Sequence, residues 1–163
     1  MRTLNLDMKN PGLKEEIEKD GGYITGCIQC GACMSICPVA ISGFEFPNKR
    51  LFKLIILELE KEVLEHRSPW ICISCQRCVH VCPRNVNPHS IYFALRRYQS
   101  KQFKHPRIFE DIVRSIYQYG YVIEPENSKR RELNLPEIKL DEEELDEIRM
   151  LMEDSRLRIL GII

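Results

Sequence analysis

Four cysteines, Cys27, Cys30, Cys33 and Cys37, form a C-x2-C-x2-C-x3-C run closed by Pro38. The run recurs 45 residues on, at Cys72, Cys75, Cys78, Cys82 and Pro83, and the two runs hold all eight cysteines of the chain. Thiolates are soft ligands, and four of them suit one cubane iron-sulfur cluster. Eight therefore match two 4Fe-4S clusters with no ligand left over. The chemistry of such a pair is electron movement. Nothing else in the chain stands out as catalytic, and substrate chemistry at a cubane usually calls for an iron without a protein thiolate.

Cysteines at i, i+3 and i+6 on a tight loop wrap three corners of one cubane, so the fourth ligand comes from elsewhere. In two-cluster ferredoxins the Cys-Pro cysteine ligates the other cluster. The expected sets are Cys27, Cys30, Cys33 and Cys82 for one cluster, and Cys72, Cys75, Cys78 and Cys37 for the second. Such crossed ligation staples the two halves together. Proline suits the next position because it presets φ, lacks an N–H and is tolerated in the first turn of a helix. Structural zinc sites use two separated cysteine pairs, not an unbroken run of four. A secreted disulfide framework fits poorly with cysteines three apart, and the amino terminus lacks a signal peptide's apolar core. A reducing, cytoplasmic location is expected.

Across 163 residues, Lys plus Arg equal Asp plus Glu at 24 each. That balance gives no basic excess for a nucleic-acid partner. Lys129, Arg130 and Arg131 are the densest basic cluster and read as a solvated turn. The apolar run Leu54 to Leu57 is far short of the ~20 residues that span a bilayer, so no direct membrane insertion is expected.

The elements that must position the cysteines read as helices, with almost no strand signal. Pro47 opens one on which Leu51, Phe52, Ile55, Ile56, Leu59 and Val63 share a broad face. Leu54, Leu57 and Leu64 lie on its other side, so it should be buried on two faces. Asn87 and Pro88 read as N-cap and first residue of a helix carrying Ile91, Tyr92, Leu95 and Tyr98. Pro106 opens another, with Ile108, Ile112 and Ile116 on one side and Gly120 as its stop. Residues 121–139 read as a linker. The last helix starts at Asp141, where Glu144 completes a capping box and Leu140 can staple against Leu145. Its core-facing stripe is Leu145, Ile148, Leu151, Met152 and Ile159; Met150 and Leu157 lie opposite, as a candidate docking stripe for a partner.

The two cluster loops differ in their surroundings. Gly31-Ala32 in the first let backbone N–H groups approach the sulfides, whereas the second has Gln76-Arg77. A cation favours the more negative, reduced cluster, so Arg77 predicts the higher potential for the cluster of Cys72, Cys75 and Cys78. His80 lies inside the second loop, within reach of a sulfur, while His66, His89 and His105 read as solvated. Trp70, with Ile71 and Ile73, is expected to shield a cluster from water.

The strings CIQCGACMSICPVA, FPNKRLFKLI and WICISCQRCVHVCPRNVNP, the last followed by an ALRR helix, closely resemble the C subunit of heterodisulfide reductase. The resemblance covers residues 20–100, and beyond them only the length and helicity of the tail. It implies an all-α fold: an α-helical ferredoxin core binding two 4Fe-4S clusters over 20–100, an N-terminal segment over 1–19, and a helical C-terminal extension over 101–163 suited to partner docking. It implies a non-catalytic electron-transfer subunit of an oxidoreductase complex. In that complex a flavin-containing A subunit feeds the two clusters, and a CCG-domain B subunit reduces the CoM-S-S-CoB heterodisulfide of methanogenesis, with a hydrogenase or formate dehydrogenase as a further partner. The same double motif occurs in sulfur-oxidising relatives and in the iron-sulfur subunit of anaerobic glycerol-3-phosphate dehydrogenase. A ferredoxin-like carrier is the simpler alternative. Neither a plant-type 2Fe-2S cysteine set before Cys27 nor a CCG repeat after Cys82 is found.

Overall fold

The computed structural model describes residues 5–7, 9–159 and 161–163, with Arg156 described by its backbone alone. Among the described residues every regular element is helical. The chain divides into two compact units, Met1–His105 and Pro106–Ile163. In the first unit the helices are α1 (Leu13–Gly21), α2 (Ala32–Ser35), α3 (Pro38–Ile41), α4 (Asn48–Ile56), α5 (Glu60–Leu64), α6 (Ser68–Ile71), α7 (Arg77–His80) and α8 (Pro88–Lys101). The four-residue turns lie in and between the cysteine runs; the longer helices build the core beneath them.

Helix α8 is the spine of this unit. Its start is as the sequence predicts: Asn87 Oδ1 accepts the Ser90 N–H at 3.0 Å, and Pro88 fills the first helical position. Ile91, Tyr92, Leu95 and Tyr98 are all buried. Helix α1, which lies in the expected N-terminal segment, packs along α8 and buries Leu13 and Ile17, so this unit extends beyond residues 20–100. The approach is close because Gly21 has no side chain. A Cβ there would lie 2.8 Å from the Ala94 Cβ and 3.0 Å from the Ile91 Cα.

The helix expected from Pro47 through Val63 is interrupted, because α4 ends at Ile56 and α5 starts at Glu60. Glu58 takes a left-handed backbone, φ 57°. Its carbonyl accepts the Asn10 N–H at 3.0 Å and its Oε1 accepts the Gly12 N–H at 2.9 Å, so the break anchors the start of α1. The apolar face is the expected one. Leu51, Phe52, Ile55, Leu59 and Val63 are buried, as is Leu54 from the other side. Each such side chain contributes roughly 1.5–3 kcal/mol of burial.

The second unit contains α9 (Ile108–Tyr119), α10 (Asn127–Glu132), α11 (Glu142–Glu153) and α12 (Arg156–Ile159). Gly120, at φ 73°, ends α9, and a capping box of Asp141 and Glu144 starts α11. The expected linker over 121–139 contains α10, which takes up Lys129, Arg130 and Arg131. Asn127 fixes it: Nδ2 donates to the Ile138 carbonyl and Oδ1 accepts the Ile138 N–H, both at 2.9 Å. The last helix is also divided, at Asp154–Ser155. Leu145, Ile148 and Met152 are partly buried as expected, but Leu151 is 70% exposed and Ile159 85%. The i, i+3, i+7 spacing of the first three defines the inward face, Leu151 falls to its side, and Ile159 lies beyond the break. None of the residues of α9, α10 and α11 is fully buried.

Candidate iron-sulfur sites

The two cysteine runs fold alike. Gln29 and Gly31, flanking Cys30, have φ of 58° and 85°; Ser74 and Gln76, flanking Cys75, each have φ of 60°. A single helical turn follows each, α2 carrying Cys33 and α7 carrying Cys78, and these turns pack on each other. Turns of this kind aim backbone N–H groups into one concavity, a common design around iron-sulfur clusters. Left-handed backbone at Gln29, Ser74 and Gln76 costs about 1 kcal/mol each, strain of the sort that collects at functional sites. The likeness ends after the fourth cysteine. Pro38 opens α3 as predicted, but Pro83 lies in a turn, followed by Asn85 at φ 52° and the buried Val86. The start of α8 at Pro88 leaves no room for a helix there.

Two cavities result. Cys27, Cys30, Cys33 and Cys82 line the first, and Cys37, Cys72, Cys75 and Cys78 the second. Cys37 and Cys82 thus each sit with three cysteines of the opposite run. Counting the part open to solvent, the first offers about 420 Å³ of empty space and the second about 350 Å³. Among the described residues no three His, Cys, Asp or Glu side chains converge closely enough for a single metal ion. The sulfurs are spread around a larger volume. Cys30 and Cys75 are exposed and the other six partly buried.

Burial and neighbouring sulfurs hold the inner thiols protonated when free. Cys78 is pushed up to about 11 by burial, with Cys72 and Cys33 adding repulsion. Cys33 is raised by burial and by Cys27 and Cys30. Burial also raises Cys72, against the opposing pull of the Ser74 N–H and Arg96. A cationic centre, as iron provides, reverses this balance and favours the thiolates. In the first cavity Gln29 Nε2 already donates to Cys27 Sγ at 3.6 Å.

The walls differ. Phe52, Val86 and Pro88 close the first cavity, with the exposed Lys49 and Arg84 on its rim. Val39, Phe46, Asn48, His89 and Tyr92 close the second. Tyr92 packs against an aromatic ring from each wall, with centroids 5.7 Å from both Phe46 and Phe52. Its hydroxyl and the Asn48 Oδ1 are buried without a hydrogen-bond partner. An unpaired buried polar group costs about 1–3 kcal/mol. Cysteines of both sets act on the Tyr92 hydroxyl, Cys33 foremost and then Cys72, Cys78 and Cys37, and an unpaired donor among them fits a sulfide-bearing cluster, which accepts hydrogen bonds at sulfur.

Several expected neighbours lie elsewhere. Arg77 and His80 are exposed and line neither cavity, whereas His89, expected in solvent, lines the second. The lining cations are on the first cavity, not the second, which removes the basis for ranking the potentials by Arg77. Trp70 lines neither of these two cavities. Its Nε1–H donates to Gln99 Oε1 at 2.6 Å, whereas Ile73 does line the second cavity, beside the buried Val39, Phe46 and Tyr92. The signal for Tyr92 is present in the sequence: a hydroxyl on a buried helix face calls for a hydrogen-bond partner.

A 4Fe-4S dicluster domain family matches residues 23–86. A protein of Archaeoglobus profundus described as like the C subunit of heterodisulfide reductase is 37% identical over 84% of this chain and 76% of its own length. The C subunit of the ferredoxin:CoB-CoM heterodisulfide reductase of Methanosarcina acetivorans is 41% identical over 44% of this chain and 28% of its own length. Ferredoxin-3 of a Nostoc species is 30% identical over 49% of this chain and 80% of its own length. No helix among the described residues is long and apolar enough to cross a membrane. With an all-helical fold and two cavities of four cysteines each, the chain belongs to the family of proteins like the C subunit of heterodisulfide reductase, as an iron-sulfur electron-transfer subunit with two 4Fe-4S clusters.

Proposed function

We propose that the chain relays electrons within a heterodisulfide reductase complex, from a flavin-containing A subunit to a CCG-domain B subunit that reduces the CoM-S-S-CoB heterodisulfide. The observation that carries this reading is the crossed pair of cavities, with Cys82 among the first run and Cys37 among the second. We assign Cys27, Cys30, Cys33 and Cys82 to one cluster and Cys72, Cys75, Cys78 and Cys37 to the other. When bound, the clusters supply one-electron storage at two nearby points. The chain's own residues hold them and exclude water: Phe52 and Val86 at one, Phe46, Val39 and Tyr92 at the other. The packing of α2 on α7 brings Cys33 and Cys78 toward each other, and this edge is the proposed crossing point between clusters. Disulfide chemistry belongs to the partner, and a cytoplasmic location is proposed for the complex. The second unit, with partly buried apolar residues and no full core in its longer helices, is proposed to dock that partner.

The likeness to Ferredoxin-3, which covers 49% of this chain, favours a second reading, a free carrier. Anaerobic affinity purification of the tagged chain from its host, with iron analysis and identification of bound subunits, separates the two. Recovery with a flavoprotein and a CCG-domain chain supports the relay. A fully loaded monomer supports the carrier.

A further inference from the structure

Two buried polar side chains from different helices converge on the second cavity. Tyr92 of α8 and Asn48 of α4 are each 1% exposed, both line that cavity, and the Tyr92 Oη and Asn48 Oδ1 have no partner in the protein. Phe46 and Phe52 both pack against the Tyr92 ring, and the residue's burial keeps its hydroxyl from water. A phenol has one O–H to donate, and a half-turn of the Asn48 amide exchanges its carbonyl for its amino group. The first cavity has no counterpart: its buried wall is Phe52, Val86 and Pro88.

We propose that Tyr92 and Asn48 donate hydrogen bonds to sulfur atoms of the cluster held by Cys37, Cys72, Cys75 and Cys78, and that these bonds raise its reduction potential. The inference rests on the ligand assignment given above. Reduction adds one electron to the cluster and makes its sulfurs better acceptors, so a donor fixed in a dry wall favours the reduced form. Tyr92 keeps its proton throughout and acts as a positioning residue, through its dipole alone. Tyr92 lines the second cavity and not the first, though Cys33 of the other set also acts on its hydroxyl, so the second couple should respond more than the first to the same substitution.

The test is an anaerobic redox titration, followed by electron paramagnetic resonance, of the loaded full-length chain and its Tyr92→Phe variant, with iron counted in both. The expected result is unchanged iron and one wave lowered by at least a tenfold change in its equilibrium, about 59 mV for a one-electron couple, while the other moves far less. Full iron with both waves unshifted overturns the inference and leaves the ligand assignment standing. Wild-type chain that loads with only about four irons defeats the ligand assignment instead, and the inference with it. If Tyr92→Phe loses iron, fluorotyrosine at position 92 keeps the ring and strengthens the donor. It is expected to raise the same wave, and an unshifted wave again overturns the inference.

Discussion

Arg96 Nη2 donates to the Cys72 carbonyl at 2.6 Å, and its Nε donates to the Pro69 carbonyl at 2.7 Å. One guanidinium on α8 therefore clamps both the turn before the second cysteine run and the first cysteine of that run. The Phe93 ring lies 4.7 Å from the guanidinium carbon and the Trp70 centroid 5.8 Å, which holds the fork flat. Lysine has no fork with which to bridge two carbonyls. Arg96→Lys should cost about 2 kcal/mol and should speed loss of one cluster under a chelator while the other persists. Iron release followed by absorbance checks this, and equal release from both sites would count against it.

Gln99 is 1% exposed and joins three segments. Its Nε2 donates to the carbonyls of Val63 and His66 at 2.9 Å and of Leu64 at 3.2 Å, and its Oε1 accepts from Trp70. Leucine is close in size but makes none of these bonds, although the Val63 carbonyl keeps the His66 N–H at 3.2 Å. Gln99→Leu should destabilise the first unit by about 3 kcal/mol. The fluorescence of Trp70, the chain's one tryptophan, reports the lower denaturant midpoint directly.

Gly120 ends α9 at φ 73°, and the Leu140 side chain occupies the place where a Cβ would go. Gly120→Ala should cost about 1 kcal/mol or more, confined to the second unit. Hydrogen exchange should rise across α9 and α11 with iron content unchanged. Loss of iron in this variant would contradict the division of the chain into two units.

His66 lies partly buried, and its Nδ1 accepts the Ser68 N–H at 3.4 Å. Burial holds its pKa below the ordinary 6.5, Arg50 pushes it further down, and Glu45 opposes them. The folded state thus disfavours the proton. The stabilisation is complete above about pH 6.5 and is lost as the pH falls from there through the lowered folded pKa. The thermal midpoint of the loaded chain should drop on acidification from pH 7 to 5, and His66→Asn should flatten that slope. An identical slope in the variant would exclude His66 as its source.

Much of this is legible in the sequence because ligand spacing and helix caps are local signals. The two cysteine runs, the Asn87-Pro88 start, the Gly120 stop and the Asp141–Glu144 box each depend on residues a few positions apart. What the sequence hides depends on distant partners. The break at Glu58 exists because Asn10 and Gly12 need its oxygens. Adjacency to a cysteine singles out Arg77, yet the lining cations are Lys49, from the connector between the runs, and Arg84, from the turn after the second. Trp70 turns from the cluster because Gln99, far along the chain, offers its N–H a buried acceptor.

Crossed ligation is the central claim, and paired cysteine variants test it most directly. Cys27→Ala with Cys82→Ala removes two ligands from one proposed cluster, so the chain should keep about four irons and one reducible centre. Cys27→Ala with Cys37→Ala removes one ligand from each, and both clusters should be impaired. The reverse pattern, a clean single cluster in the Cys27 and Cys37 pair and damage to both in the Cys27 and Cys82 pair, would contradict the account.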